Sequence, residues 1–423
     1  EYDLIIGNPP YIQLQENEGY LGNIYKPCGY RSFAKTGDIY CLFYELSWKL
    51  LREGGHLCFI TSNKWMRAAY GQALRSFMAE NTNPKLLIDC GGYQVFKNAT
   101  VDTNILLFSK ESNQGRTQSI TLPKTGVNNL SDFVQHNAVK CAFASSDSWI
   151  ILSPIEQSIK NKIEAIGTPL KEWDIKIYRG VLTGYNEAFI VTTEKREEIL
   201  SNCKTDDERE KTADLIRPIL RGRDIKRYGY TWADLWLIAT FPSRHYNIDD
   251  FPAVKSYLLS IGKERLEQTG KTHIIEGEKV KSRKKTNNKW FETQDSISYW
   301  EDFNQPKITW GEISDRSKFA FDANGKYVPE ATTFLMTGDK LPYLLCVLNS
   351  PLTEWFFSKV GTTTGVGTVR WKKFTIQELL VPKAAQQVLQ QYNDLVTAFV
   401  SGILTSTQLS QQANRIIYDM VGL

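Results

Sequence analysis

The sequence predicts a protein of the α/β class, in which half of an open sheet is followed by a mixed α/β domain and a helical tail. Strand-like and helix-like apolar runs alternate up to about residue 110, as they do in α/β sheets covered by helices. Polar, turn-rich residues follow, and beyond residue 150 short mixed elements carry frequent Trp and Tyr. We therefore predict domains at residues 1–150, 151–383 and 384–423.

The first 110 residues show the order β-α-β-α-β-β. Short apolar runs indicate buried strands, and apolar residues at helical spacing indicate helices. The predicted elements are strands at 2–6, 57–60, 85–90 and 104–108 and helices at 39–51 and 70–79. The last two strands lie too close together for a helix between them, so we expect them to pair antiparallel. Gly54 and Gly55 are expected to end the first helix, because glycine tolerates positive φ.

An open sheet that started at its first strand would leave an edge and apolar surface facing water. We therefore expect sequence before Glu1 to supply further strands. Residues 111–150 are expected to be a linker or an irregular connection, because they are polar and rich in turn-forming residues. Helical patterns return at 204–216 and 384–423, and in the second range the apolar spacing suits two packed helices.

Composition limits the classes of function. The chain has 423 residues, of which 42% are hydrophobic and 23% charged, close to globular averages. No apolar run reaches the roughly 20 residues that span a bilayer, so no membrane partner is expected. The 7 cysteines are scattered without a close pair, and the 4 histidines are far apart. These spacings predict neither a disulfide framework nor a metal site, and they favour a cytoplasmic protein.

The net charge of +4 comes from 51 Lys and Arg against 47 Asp and Glu, so the chain is not a general polycation. One basic run stands out between Lys271 and Lys289. A run of this kind indicates either a surface for a polyanion or a solvated loop, and the sequence leaves both open.

The segment Asn8-Pro9-Pro10-Tyr11 directly follows the first predicted strand. Open α/β sheets bind their ligands at the carboxyl ends of strands. Two consecutive prolines fix φ near −65° and remove two amide donors, which leaves a stiff loop with unpaired carbonyls. Asn8 adds a side-chain acceptor and Tyr11 a flat ring. The segment therefore suits a planar ring that bears an exocyclic amino group, although a purely structural loop is an alternative.

The same segment resembles the catalytic motif of N6-adenine DNA methyltransferases and of the related N5-glutamine protein methyltransferases. Residues 38–43 (Asp-Ile-Tyr-Cys-Leu-Phe) and 55–61 resemble the next helix start and strand of the gamma-class DNA enzymes. Residues 95–97 and 101–107 resemble the later motif whose aromatic residue stacks on the target base. The resemblance implies that Phe96 faces Tyr11 with adenine between them. Phe96 as an ordinary hydrophobic anchor of its loop is the alternative.

Beyond residue 150, residues 178–189 resemble the opening of a TaqI-type target-recognition domain. The resemblance continues at 216–225, 334–357, 370–374 and 417–423. A protein-glutamine methyltransferase has no such domain, so the DNA family is favoured. The resemblance implies a Rossmann-like class I methyltransferase sheet, represented by its carboxyl-terminal half, and site-specific adenine methylation in a restriction-modification enzyme of type IIG. It also implies double-stranded DNA as the partner and no obligate protein partner.

An adenine inside a duplex is out of reach of an enclosed pocket, so the target base must be flipped out. The recognition domain is expected to contact phosphates and to read bases in the major groove. The candidate DNA-binding residues are Arg179, Tyr185, Asn186, Arg221, Arg223, Arg244, Lys281, Arg283, Arg370, Trp371 and Lys372. The polar loop at 362–368 is a further candidate for contact with the DNA backbone, or an ordinary loop.

The resemblance also implies S-adenosylmethionine as the cofactor. The family's Gly-containing cofactor motif and the acidic residue after its second strand have no counterpart before Asn8. The main cofactor-binding motif is therefore absent, and only Asp38 and Phe43 are expected to line part of that pocket. Mg²⁺ is expected only if a nuclease domain accompanies this chain. The resemblance implies a prokaryotic cytoplasmic location. The rival hypothesis is that the chain is an inactive DNA-specificity fragment of such an enzyme.

Overall fold

The computed structural model describes residues 1–96, 101–275, 277–360 and 369–423. They form two compact units, one of Glu1–Lys162 with Trp355–Arg370 and the other of Ile163–Glu354 with Trp371–Leu423. The domain boundaries predicted at residues 150 and 383 remain predictions. Within these described ranges, no helix has the length and apolar character to cross a membrane.

The strands and helices are numbered in chain order. The strands are β1 (Tyr2–Gly7), β2 (Leu51–Ser62), β3 (Asn83–Asp89), β4 (Thr103–Ser109), β5 (Thr117–Thr121), β6 (Val139–Cys141), β7 (Gly167–Pro169), β8 (Ile175–Arg179), β9 (Ile190–Thr192), β10 (Ile216–Leu220), β11 (Leu235–Ile238), β12 (Thr272–Ile275), β13 (Glu278–Lys281), β14 (Lys307–Gly311), β15 (Ile313–Ser314), β16 (Phe319–Asp322), β17 (Val328–Pro329), β18 (Thr333–Gly338), β19 (Val369–Arg370) and β20 (Leu380–Pro382). The α-helices are α1 (Glu16–Tyr25), α2 (Tyr40–Leu50), α3 (Gln72–Asn81), α4 (Leu130–Asn137), α5 (Pro154–Ile166), α6 (Asn186–Phe189), α7 (Thr193–Ser201), α8 (Asp206–Leu215), α9 (Pro252–Ile261), α10 (Lys263–Leu266), α11 (Leu341–Leu348), α12 (Pro351–Val360), α13 (Lys373–Ile376), α14 (Gln386–Val400) and α15 (Ser406–Val421).

The first unit is built on a six-stranded sheet in the order β1-β2-β4-β3-β5-β6. β1 pairs parallel with β2, β3 pairs parallel with β5, and β4 runs antiparallel to both β2 and β3. The antiparallel pairing predicted for the strands at 85–90 and 104–108 is thereby confirmed. Because β1 and β2 are parallel, the residues that follow them emerge at one edge of the sheet.

Both faces of this sheet are covered, as alternation along β3 shows. Leu87 belongs to a core with buried residues of α2 and α3, whereas its neighbour Ile88 packs in a second cluster with residues from β5 and α4. Successive side chains of a strand point to opposite faces. The sheet therefore has helices on each side, as the sequence predicts.

Two local predictions are wrong. The predicted linker at 111–150 holds β5, α4 and β6, which extend the sheet. The glycine pair does not end α2, because that helix ends at Leu50 and β2 begins at once. Gly54 has a φ of +74° and lies beside the register shift between β1 and β2. A Cβ on Gly55 would stand 2.8 Å from the carbonyl oxygen of Arg52, so the pair forms a close irregularity within the strand.

The segment Trp355–Arg370 returns to the first unit from far along the chain. Glu156 in α5 binds it twice, accepting a hydrogen bond from Trp355 Nε1 at 3.3 Å and pairing with Lys359 Nζ at 2.7 Å. Arg67 also donates to the carbonyl oxygen of Ser358 at 3.4 Å. The first unit is therefore assembled from two separate stretches of sequence.

The second unit contains two four-stranded sheets, in the orders β17-β10-β11-β9 and β16-β14-β18-β8, and a separate hairpin of β12 and β13. The predicted helical tail is present as α14 and α15. Tyr392 of α14 is fully buried, donates to the carbonyl oxygen of Ala413 in α15 at 3.0 Å, and contacts the ring of Tyr343 in α11. The tail is thus packed on the rest of this unit.

Candidate functional site

The Asn-Pro-Pro-Tyr segment leaves the carboxyl end of β1 at the edge of the sheet. Asn8 is exposed, and its side chain makes no hydrogen bond with any described residue, whereas Pro9 is buried. An asparagine that braced the sheet would be buried and bonded, since buried polar groups are normally satisfied. The amide of Asn8 is therefore presented outward on a segment anchored by Pro9.

Tyr11 is half-buried, and both its hydroxyl and its ring make contacts within the first unit. Its hydroxyl donates to the carbonyl oxygen of Ile60 at 3.4 Å, and its ring meets that of Tyr40 edge to face at 5.9 Å. Burial raises the pKa of the Tyr11 phenol to about 12. The group stays neutral near pH 7, so it offers a flat ring rather than a base.

Backbone hydrogen bonds join this segment to the chain around Asp38. The amide of Leu14 donates to the carbonyl oxygen of Gly37 at 2.8 Å, and the amide of Ile39 donates to that of Ile12 at 2.9 Å. These bonds bring Asp38, predicted to line the cofactor pocket, next to the Asn-Pro-Pro-Tyr segment.

Asp38 is 8% exposed, and its carboxylate accepts a hydrogen bond from the Tyr70 hydroxyl at 3.0 Å. That hydroxyl lies 2.8 Å from the hydroxyl of Tyr40. Burial raises the pKa of Asp38, and the bond from Tyr70 works against this effect. Phe43, the other predicted cofactor residue, packs beside Leu42 and the core under the sheet.

A buried polar network that the sequence analysis missed lies at the same edge. The Thr61 hydroxyl is 2.9 Å from that of Tyr44 and donates to Asn104 Oδ1 at 3.0 Å. Trp65 Nε1 donates to the same oxygen at 3.2 Å, and Asn104 is fully buried. Asn104 lies inside the stretch 101–107 that carries the family resemblance, so a signal for it was present in the sequence.

Asp89, at the carboxyl end of β3, forms a second group that was missed. Its carboxylate accepts from Asn63 Nδ2 at 2.8 Å, from the amide of Gly91 at 3.0 Å and from Arg67 Nη2 at 3.3 Å. Asp89 is 1% exposed. These bonds tie the segments that follow β2 and β3 to each other at the edge where the Asn-Pro-Pro-Tyr segment begins.

Phe96 is half-buried in the segment that follows β3. Its pairing with Tyr11 around a base remains a prediction. Residue 97, which belongs to the same motif, and the polar loop at 362–368 lie outside the described residues.

Two predicted DNA-binding residues are corrected by their burial. Arg283 is 4% exposed, and its guanidinium donates to four carbonyl oxygens, those of Thr183, Leu266, Trp290 and Glu292. Burial also lowers its pKa to about 10. Trp371 is 2% exposed, and its ring packs on Phe319. Both residues hold the second unit together and have no face left for DNA.

The other predicted DNA-binding residues differ in whether their side chains already contact other residues of the chain. Arg223, Arg244 and Lys281 are exposed and make no ion pair within the described residues. The remaining candidates have contacts of their own: Arg179 with the carbonyl oxygen of Ala331, Tyr185 with Arg265, Asn186 with Thr183, Arg221 with Asp224, and Lys372 with Glu312. Arg370 is half-buried in the first unit.

Comparison with known proteins identifies two matching families. Residues 1–96 match a family described as Eco57I restriction-modification methylase, and residues 217–381 match one described as TaqI-like C-terminal specificity domain. The predicted resemblance is thereby confirmed.

Among curated relatives, the chain is 25% identical over 408 residues to the type II methyltransferase M.BstVI of Geobacillus stearothermophilus, covering 90% of this chain and 67% of that protein. It is 23% identical over 455 residues to the type II restriction enzyme and methyltransferase RM.Eco57I of Escherichia coli, covering 99% of this chain and 44% of that protein.

Among solved structures, the type IIL restriction-modification enzyme MmeI, determined in complex with DNA, is similar with a TM-score of 0.64 at 11% identity. The match covers 99% of this chain and 54% of MmeI, so the chain spans about half of that structure. This likeness confirms the predicted fold class, a Rossmann-like α/β sheet followed by a mixed α/β domain.

Proposed function

We propose that this chain, in which an Eco57I-type methylase segment is joined to a TaqI-like specificity domain, methylates the N6 atom of adenine in double-stranded DNA. It would act within a type IIG restriction-modification system in a prokaryotic cytoplasm. The observation that carries the proposal is the outward amide of Asn8, which has no hydrogen-bond partner among the described residues and adjoins the stiff proline pair and the ring of Tyr11.

The amino group of adenine is a weak nucleophile, because its lone pair is delocalised into the ring. The side-chain oxygen of Asn8 and the carbonyl oxygen of Pro9 would accept its two N–H bonds and direct the lone pair out of the ring plane. Acceptors placed where positive charge develops stabilise the transition state more than the ground state. The proton becomes acidic only as the nitrogen is alkylated, so no strong base is needed beforehand.

Tyr11 and Phe96 would hold the flipped base between them. Unstacking a base costs a few kcal/mol, which stacking on aromatic rings offsets in part. The neutral phenol of Tyr11 suits this role, because its hydroxyl is engaged by Ile60 and its ring is held by Tyr40.

S-adenosylmethionine, when bound, supplies the electrophilic methyl group. Asp38 fits a part of that pocket, since its buried carboxylate lies beside the Asn-Pro-Pro-Tyr segment and is an acceptor for N–H or O–H groups. Phe43 fits only as an apolar wall, because it is half-buried between two hydrophobic clusters.

The hairpin of β12 and β13 would supply phosphate contacts. Residues paired across it share a face, and one face carries Ile274 opposite Lys279 and Thr272 opposite Lys281, all exposed. Neither lysine makes an ion pair within the described part of the chain. A two-stranded ribbon fits the major groove, and unpaired lysines release counterions when they meet phosphates.

The test is methyl transfer to duplex DNA with labelled S-adenosylmethionine, followed by identification of the methylated base. Asn8→Ala removes one acceptor and is expected to slow transfer by about 10²- to 10³-fold. Asn128→Ala is the matched control, because Asn128 is also exposed and also lacks a hydrogen bond among the described residues of the first unit. Equal rates for the two variants, or a methylated base other than adenine, would refute the proposal.

The second candidate function, a DNA-specificity module without activity, is favoured by the match of residues 217–381. It predicts duplex binding without methyl transfer. Binding measured over a range of salt concentrations also tests the hairpin: Lys281→Ala should lower the salt slope by about 0.9. Lys318→Ala is the control, because Lys318 is paired with Asp315 at 2.7 Å.

A further inference from the structure

The guanidinium group of Arg244 stacks on an aromatic ring, and its N–H donors have no partner among the described residues. Arg244 is exposed, and its guanidinium carbon lies 3.7 Å from the centre of the Trp300 ring. Tyr246 offers a second ring at 5.5 Å. The guanidinium makes no hydrogen bond or ion pair within the described residues. Its N–H donors, which lie in the plane of the group, are therefore available while the plane itself is fixed by stacking.

The backbone that carries Arg244 is tightly held. Arg244 ends the 3₁₀ turn Pro242–Arg244, which begins with a proline. The amide of Ser243 donates to the carbonyl oxygen of Ser296 at 3.1 Å, and its hydroxyl donates to that of Ile297 at 2.7 Å. Two neighbouring chain segments are thus joined at the residue before Arg244.

Unfavourable backbone angles accompany this junction. His245 has a φ of +52° and Ile297 a φ of +50°. A β-branched residue such as isoleucine rarely adopts positive φ, and such strain persists where the surroundings enforce it, often at functional sites.

Trp300 is fixed as well. It begins the 3₁₀ turn Trp300–Asn304, whose Phe303 is fully buried. The preceding residue, Tyr299, stacks on Tyr178 at 4.3 Å with the rings almost parallel. Trp300 itself is partly buried and packs against the hydrophobic core of the second unit, so the ring under Arg244 is held by the core.

We propose that Arg244, held flat by Trp300, recognises a guanine base in the major groove through a bidentate contact with O6 and N7. The inference rests on the proposed DNA-binding function and assigns one specificity-determining residue within it. A bidentate contact with guanine needs a defined guanidinium plane. A phosphate contact can also be made by lysine, by hydroxyl and amide side chains or by a backbone N–H group, so it does not require a fixed guanidinium plane. The fixed plane and the unoccupied donors together favour the base.

Arg196 provides a matched comparison in the same unit. It also stacks on a tryptophan, Trp236, at 4.1 Å. Its side chain is only 16% exposed, and Nη1 donates to Glu197 at 2.7 Å. Arg196 therefore shares the stacking of Arg244 but is mostly buried and already engaged.

The experiment selects bound duplexes from a random-sequence pool with the wild-type chain, Arg244→Ala, Arg244→Lys and Arg196→Ala. The affinity of each protein for the wild-type motif and for single-base variants of it is then measured at two salt concentrations. Thermal unfolding of each variant reports on folding, and we expect Arg244→Ala to keep the wild-type midpoint because its side chain is exposed.

The wild type and Arg196→Ala should select the same motif. Arg244→Ala and Arg244→Lys should lose preference for guanine at one position, with discrimination there falling by about 5- to 150-fold. Arg244→Lys distinguishes a base contact from a phosphate contact, because lysine keeps the positive charge but lacks the forked N–H donors of the guanidinium group. Retained preference in both variants, or a uniform loss of affinity in Arg244→Ala with a shallower salt slope, would overturn the inference alone. A wild-type chain that selects no motif would overturn it together with the proposed function.

Discussion

Two replacements of Tyr11 separate the contribution of its ring to base binding from that of its hydroxyl. The hydroxyl bond to Ile60 is long, at 3.4 Å, so its loss in Tyr11→Phe should cost only about 0.5 kcal/mol, a factor of about two. Tyr11→Ala removes the ring, and stacking of a base on an aromatic side chain contributes about 1–3 kcal/mol. The expected loss of affinity for a flipped base is then about 5- to 150-fold.

The assay is the fluorescence of 2-aminopurine placed at the target adenine, which rises when the base leaves the stack. Tyr11→Phe should keep the wild-type signal and affinity within about twofold, while Tyr11→Ala should lose both. Tyr20→Ala is the control, because Tyr20 is 65% exposed in the same unit. Equal deficits in Tyr11→Phe and Tyr11→Ala would show that the hydroxyl is the essential group and would refute the stacking role.

The remaining predictions concern buried charges. Arg283→Met should destabilise the second unit by at least about 3 kcal/mol in urea unfolding, because it leaves four carbonyl oxygens without their donor. Lys281→Ala is the control and should leave the stability unchanged. Similar losses of stability in the two variants would contradict the buried role of Arg283. Lys307 is fully buried and lies 2.6 Å from Asp322, so its replacement by Met should cost about 3–5 kcal/mol, because it leaves the buried carboxylate of Asp322 without its cation; a loss below about 1 kcal/mol would contradict this role. Burial raises the pKa of Asp38 above its usual 3.8, so the folded chain binds this proton more tightly than the unfolded chain and stability falls as pH rises from about 4 through the raised pKa. Asp38→Asn should abolish that fall, and a constant difference in urea midpoint between wild type and variant from pH 4 to 7 would contradict the assignment.

Periodicity predicted the elements whose apolar residues follow a single period. The helix at 39–51 and the strands at 85–90 and 104–108 are examples, and each is found within a few residues of its predicted bounds. β5 was missed because only one of its five residues, Ile120, is apolar, and this residue is buried against residues of α4 that are distant from it in the sequence. Local sequence does not reveal such tertiary cover.

The part of the candidate site that lies in one short motif could be predicted from the sequence. The contacts between residues that are far apart in the sequence could not. The Asn-Pro-Pro-Tyr segment was identified from its position after a strand. The bond between Asp38 and Tyr70 joins residues 32 positions apart, and no local pattern indicates it. The basic run shows the same limit: Lys281 is exposed, but Arg283, two residues on, turns inward to carbonyl oxygens.

The return of Trp355–Arg370 to the first unit has a consequence for protein engineering. A chimaera made by exchanging everything after residue 162 would also replace the partners that Glu156 finds in Trp355 and Lys359. A graft that aims to change only the recognised DNA sequence therefore needs crossovers on both sides of this stretch, so that the recipient keeps its own copy.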